Sequence, residues 1–145
     1  MKALTICQPY AELICRGLKR VENRTWGTRY TGPLAIHAGK SRKWLETYSW
    51  TELPPSMPFG AVVAVAMLVA CVEAEDVSRW LNENARWKDF GWVIEHEHAT
   101  GPWLWILGDV RRLAEPIPYG GKQGLWEWAP DRPLEFASRG REVTK

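Results

Sequence analysis

The longest apolar run of the chain, Gly60 to Val72, is rich in β-branched side chains and predicts a long buried strand over 61–72. Ala3–Ile6 predicts a short opening strand. Tyr10, Leu13 and Ile14 then recur at helical spacing, which predicts a first helix from Pro9 to the stop at Gly17. Val21–Trp26 reads as extended, and Pro33–Ala38, after Gly32, as a strand. Ser41 can cap a second helix with Trp44, Leu45 and Tyr48 on one face. Pro54, Pro55 and Pro58 mark a loop. Asp76 or Ser78 caps a short helix holding Trp80 and Leu81. Trp92–Ile94 and Trp103–Leu107 predict strands, Glu115–Gly121 a Pro/Gly turn, and Leu125–Trp128 a closing strand. Residues 131–145 read as a polar, frayed tail after one domain over 1–130. This succession predicts an α+β domain: a small closed or nearly closed β-barrel of about 6 strands with two or three short flanking helices.

Composition narrows the class. A chain of 145 residues, 46% hydrophobic and 25% charged, is long enough for one cored domain without staples. Its 10 tryptophans exceed what a core of this size needs, so some rings are available as stacking surfaces. Cys7, Cys15 and Cys71 have no CxxC spacing and an odd count, and read as reduced packing residues of a cytoplasmic protein. The run from Gly60 to Val72 is too short to span a bilayer, and no signal peptide is visible, so no membrane is expected. The net charge of +2 conceals separated blocks: +6 over residues 1–50, −6 over 51–109 and +2 over 110–145. Such blocks suggest a basic face toward an anionic partner.

The densest candidate chemistry lies in residues 17–26. Lys19, Arg20 and Arg24 are cations, Glu22 can orient them, and Trp26 is a flat ring. Arg24 offers a planar fork for phosphate or a base edge. Trp26 offers a stacking plate worth ~1–3 kcal/mol per base. Gln8 and Tyr10 fall at the N-terminus of the first helix, whose unpaired N–H groups can hold an anion. A second cluster is His37-Ala-Gly-Lys40-Ser-Arg42-Lys43. A Walker A motif would need glycine where Leu34 stands, so NTP hydrolysis is rejected. What remains is a basic helix start suited to a backbone phosphate. A third cluster is Lys122-Gln123 in a glycine-rich turn, where Gln123 could read a base edge and Lys122 touch phosphate. Each has a structural alternative: a loop-closing Lys19–Glu22 pair, a packed Tyr10, a satisfied core His37, a tight turn at 122–123. His96 and His98 share a face, but no third ligand stands at zinc spacing, and no metal site is expected.

The opening Leu-Thr-Ile-Cys-Gln-Pro-Tyr-Ala, then Gly17, Lys19, Glu22 and Arg24 in the pattern GxKxxExR, then Gly32-Pro-Leu-Ala-Ile-His37-Ala resemble the ASCH domain family of the PUA-like superfamily. Pro118-Tyr119-Gly-Gly-Lys122-Gln123-Gly-Leu-Trp126 resembles the closing segment of small bacterial and phage members. The resemblance spans residues 3 to about 128. It implies a PUA-like barrel with a cleft between barrel and helices, and binding of RNA or single-stranded nucleic acid. Some members hydrolyse N4-acetylcytidine, and at least one is a metal-dependent ribonuclease, which would bring in magnesium; otherwise no cofactor is implied. In the amidohydrolase branch Lys19 matches the lysine, Glu22 stands where the threonine nucleophile would be, Thr25 is out of register, and Glu73 is the late carboxylate candidate. The expected function is nucleic-acid binding by a cytoplasmic monomer through Gln8, Tyr10, Lys19, Arg24, Trp26, Lys40, Arg42, Lys122 and Gln123. RNA, single-stranded nucleic acid or a nucleotide-like small molecule is the expected partner. The alternative is a hydrolase of RNA or a modified nucleoside using Lys19 and Glu22.

Overall fold

The computed structural model describes residues 1–45 and 57–138. Six strands form one mixed sheet: β1 (Lys2–Ile6), β2 (Val21–Arg24), β3 (Gly32–Ala38), β4 (Ala61–Glu73), β5 (Trp103–Pro118) and β6 (Leu125–Glu127), in the order β2-β5-β4-β3-β1-β6. Helix α1 (Tyr10–Cys15) follows β1. Helix α2 (Val77–Glu83) follows β4 after a 3₁₀ turn at Ala74–Asp76 and precedes a 3₁₀ segment at Ala85–Glu95.

The chain divides into two compact units: Met1–Leu18 with Pro33–Ala66 and Val110–Lys145, and Lys19–Gly32 with Met67–Asp109. In the first unit β1 pairs parallel with β3 (Leu4 opposite Ile36) and antiparallel with β6 (Ala3 opposite Trp126). Its core joins Ala3, Ala35, Val62, Leu113, Ile117, Trp126 and Trp128. In the second unit β2 pairs antiparallel with β5, Val21 opposite Ile106 and Arg24 opposite Trp103. Val21, Ala70, Val72, Trp80, Val93, Leu104 and Ile106 form its core.

The strands at 2–6, 21–24, 32–38, 61–73 and 125–127 lie where the pattern predicts them. Three expectations change. Trp92–Ile94 belongs to the 3₁₀ segment, not to a strand, because Trp87, Phe90 and Trp92 gather around Trp80 instead of entering a ladder. The turn expected at 115–121 begins later: β5 runs on to Pro118, with Ile117 buried between the exposed Pro116 and Pro118. The tail after Pro130 is not frayed through 138. Leu113 bridges Phe136, Ala114 N–H donates to Glu135 O at 2.8 Å, and Ala137 N–H donates to Arg112 O at 2.9 Å. Leu134 and Phe136 supply the apolar contact that holds this return. Of the helix expected from Ser41, residues 42–45 form a turn closed by Leu45 N–H to Arg42 O at 3.2 Å. Tyr48, Pro54 and Pro55 lie outside the described residues.

Candidate nucleic-acid interface

In the first unit several predicted residues gather around Gly60, at the entry to β4. Gly60 N–H donates to Ala38 O at 2.8 Å, and Tyr119 N–H donates to Gly60 O at 3.1 Å. These two bonds join the end of β3 to the end of β5. Gly60 has φ +67, and a Cβ there would stand 3.0 Å from Lys40 Cε, so the lysine stem lies directly on the glycine. Gln8 Nε2 donates to Pro58 O at 2.8 Å, next to Phe59, and the Arg42 guanidinium sits 4.3 Å over the Phe59 ring. The Tyr119 ring lies nearly parallel to Trp126, at 5.7 Å and 10°, and Lys122 Nζ is 5.9 Å from the Trp126 centroid. Lys43 Nζ is 5.0 Å from the Trp44 ring. Lys40, Arg42, Lys43, Lys122 and Gln123 are exposed. None of the four cations has a carboxylate partner among the described residues. Cations beside flat rings offer both phosphate attraction and base stacking.

The anion site expected at the start of α1 is not formed. Tyr10 and Ala11 N–H groups both donate to Cys7 O, and Glu12 N–H donates to Gln8 Oε1 at 2.9 Å. The Glu12 carboxylate itself lies in the first turn, where it would repel a phosphate. Gln8 is fully buried with both ends of its amide engaged inside the fold, and Tyr10 is half-buried.

In the second unit the motif forms a chain of ions. Lys19 is 3% exposed; its Nζ donates to Val21 O at 2.6 Å and lies 3.4 Å from Glu22 Oε1. Glu22 Oε2 accepts from Arg24 Nε at 2.9 Å. Burial pushes the Lys19 amine below its usual value, Glu22 opposes the shift, and Arg24 adds to it. Arg24 remains half-buried. Trp26, also half-buried, meets Trp105 edge-on at 4.9 Å, and Trp105 Nε1 donates to Trp26 O at 3.2 Å.

Two histidines set aside in the sequence belong to this surrounding. His96 Nε2 accepts from Arg20 N–H at 2.9 Å, and the His96 and His98 rings are 5.6 Å apart. The Arg20 guanidinium lies 3.7 Å over Trp92. Asn23 ties β2 to the following turn: Oδ1 accepts from Thr100 and Gly101 N–H groups at 3.0 and 2.8 Å, and Nδ2 donates to His98 O at 2.6 Å. Burial first, and then nearby cations including Lys19, holds both imidazoles below the usual histidine range. The alternating Glu95–His98 spacing was the one signal for this pair; its placement against Arg20 had none.

Of the residues tied to hydrolysis, Thr25 is exposed and Glu73 lies beside Glu75 and Asp76 at the end of β4. Loss of solvent, then Glu75, raises the Glu73 carboxyl above its usual range. The Lys19–Glu22–Arg24 chain does not suit magnesium, because both oxygens of its carboxylate already face cations.

Solved structures show the same fold. An ASCH protein from Zymomonas mobilis gives a TM-score of 0.51 at 16% identity, covering 90% of this chain and 87% of that one. A variant of that protein gives a TM-score of 0.51 at 18% identity, covering 90% of each chain. The mixed six-stranded sheet with short helices is therefore an α+β, PUA-like barrel fold. The ASCH domain model matches residues 4–121, and the chain belongs to the ASCH domain family, which is associated with RNA binding. Curated relatives include activating signal cointegrator 1 of Homo sapiens, 24% identical over 136 residues, and of Mus musculus, 27% identical over 138 residues. The alignments cover 86% and 84% of this chain but 22% and 24% of those proteins, so the chain spans under a quarter of their length. No helix among the described residues is long and apolar enough to cross a membrane.

Proposed function

We propose that this protein binds RNA or other single-stranded nucleic acid through the basic, aromatic surface around Gly60. Lys40, Arg42 and Lys122 meet phosphates, while Tyr119 and Gln123 meet bases. Arg24 and Trp26 offer the same two chemistries in the other unit. The observation that carries the reading is the exposure of Lys40, Arg42, Lys43 and Lys122 with no carboxylate partner among the described residues, three of them set over aromatic rings. Solvated cations of this kind release counterions on meeting a phosphate chain. The protein would act as a cytoplasmic monomer. Free thiols at Cys7, Cys15 and Cys71 support a reducing compartment.

Fluorescence anisotropy of a labelled single-stranded oligoribonucleotide tests this. Affinity should fall with salt, and Lys40→Ala and Lys122→Ala should each lower the slope of log K against log salt by about 0.7. Absence of binding at low salt overturns the reading.

One observation favours a hydrolase instead: the buried Lys19 amine, held below its usual value by burial, beside Glu22 and within electrostatic reach of His96 and His98. Cleavage of single-stranded RNA, or deacetylation of N4-acetylcytidine, that disappears in Lys19→Met would establish it. The engaged oxygens of Glu22 argue for a loop-closing role.

A further inference from the structure

Immediately before β2 stands a cation that the surface around Gly60 does not use. Arg20 is exposed, yet it is held at three points. Its backbone N–H donates to His96 Nε2 at 2.9 Å, and its carbonyl accepts from Leu107 N–H at 3.0 Å. Its guanidinium lies 3.7 Å over the Trp92 ring. Trp92 and His96 also meet each other, edge to face at 5.5 Å and 85°. The two groups that hold Arg20 thus brace one another, and all of these residues belong to the second unit.

The neighbouring cations of the motif are engaged elsewhere. Lys19 is buried against Val21 O and Glu22. Arg24 turns Nε and Nη2 to the Glu22 carboxylate, at 2.9 Å each. Arg20 meets no carboxylate among the described residues. A surface arginine ordinarily samples many rotamers, and ordering it opposes binding. Here the pinned backbone and the indole plate fix the side chain before a ligand arrives. A guanidinium seated on a ring face keeps N–H donors along its edge, a fork that matches two oxygens of one phosphate. The local field has the right sign. His96 feels His98, Arg20 and Lys19 against Glu97, and burial with these neighbours holds its imidazole below the usual range.

We infer that Arg20, backed by Trp92, is a phosphate contact of the second unit, taking one phosphodiester of a bound strand in a bidentate grip. Trp92 and His96 are its positioning residues. The inference rests on the nucleic-acid reading above and adds a named contact outside the Gly60 surface.

The test is fluorescence anisotropy on the full chain with a labelled oligouridine of about twenty nucleotides, longer than the usual site of one small domain. Arg20→Ala should weaken binding roughly tenfold and lower the slope of log K against log salt by about 0.7. Arg20→Lys keeps the charge and loses the fork, so it should keep the slope and still bind several-fold more weakly. Both substitutions change an exposed side chain and leave its backbone bonds in place. A second measurement reads the contact directly. On saturation with oligouridine the phosphate offsets the Arg20 charge, so His96 should titrate at higher pH by ¹H NMR than in the free protein, and the difference should shrink in Arg20→Ala. Equal affinity of Arg20→Ala and the unaltered protein, full recovery of affinity in Arg20→Lys, or an unmoved His96 midpoint overturns the Arg20 contact and leaves the Gly60 surface standing. Absence of any binding at low salt overturns that surface and this contact together.

Discussion

Gly17 ends α1 at φ +76, where Leu18 N–H donates to Leu13 O and Gly17 N–H to Ile14 O, each at 3.0 Å. This is the Schellman closure, and it places the glycine in the left-handed region that other residues avoid. No atom would meet a Cβ there, so backbone conformation alone selects glycine. Two residues later the demand is electrostatic. Lys19 and Glu22 are both buried, and Glu22 answers Lys19 with one oxygen and Arg24 with the other. Glu22→Gln should therefore cost roughly 3 kcal/mol, because the Lys19 charge stays buried without its carboxylate. Arg24→Ala should cost clearly less, since the Lys19–Glu22 pair survives it. Urea unfolding of both variants checks the order; equal losses would show that Glu22 serves Arg24 and not Lys19.

Helix α1 has six residues, too few to persist alone, and its stability comes from what it touches. Ala11, Leu13 and Ile14 are buried, and the Glu12 carboxylate, itself buried, takes a bidentate pair from Arg112 at 3.1 and 2.8 Å. Arg112→Ala would strand that carboxylate and should cost about 3–5 kcal/mol. Arg112→Ala combined with Glu12→Gln should recover much of the loss; no recovery in chemical denaturation would rule out the pair as the cause. The sequence could not show this contact, because its partners are 100 residues apart and each looks like an ordinary surface charge. Local patterns were legible where one physical force dominates: a β-branched run gave β4, Gly32 marked the start of β3, and Gly17 closed the helix. They failed where neighbours decide. Three apolar residues at 92–94 suit a strand or a 3₁₀ turn equally, and only the ring of Trp80 chooses. Pro116 and Pro118 read as a turn, yet both stay exposed beside the buried Ile117. The motif itself was plain.

All three histidines of the chain have their pKa values lowered by burial first. Their further causes differ: Lys40 acts on His37; His98, Arg20 and Lys19 act on His96; and Lys19 acts on His98. Two of the rings also have neutral-state bonds to lose or strain. His96 Nε2 accepts the Arg20 N–H, so a proton there removes an acceptor. A second proton on His37 would fall on the buried Nδ1, which has no partner to receive it among the described residues. The sign follows from linkage. Below the ordinary histidine value of about 6.5 the unfolded chain takes up protons that the native chain refuses, so stability falls as pH falls. Above that value the histidine contribution is fully present. The carboxylates shifted down by ion pairs, Glu127 and Asp131, are exposed and titrate at lower pH, while Glu73, shifted up, acts with the opposite sign, so a fall in this window comes from the imidazoles. The urea midpoint should thus drop between pH 7 and pH 5. His96→Gln should remove part of that drop, since glutamine does not titrate and its amide oxygen can still accept from Arg20. A midpoint that is flat across this range in the unaltered protein would mean that the imidazoles already carry protons in the native state, or that local opening admits water to all three at no cost. Loss of the drop in His96→Gln alone would assign the pH response to the second unit, where Arg20 and Lys19 crowd the two rings.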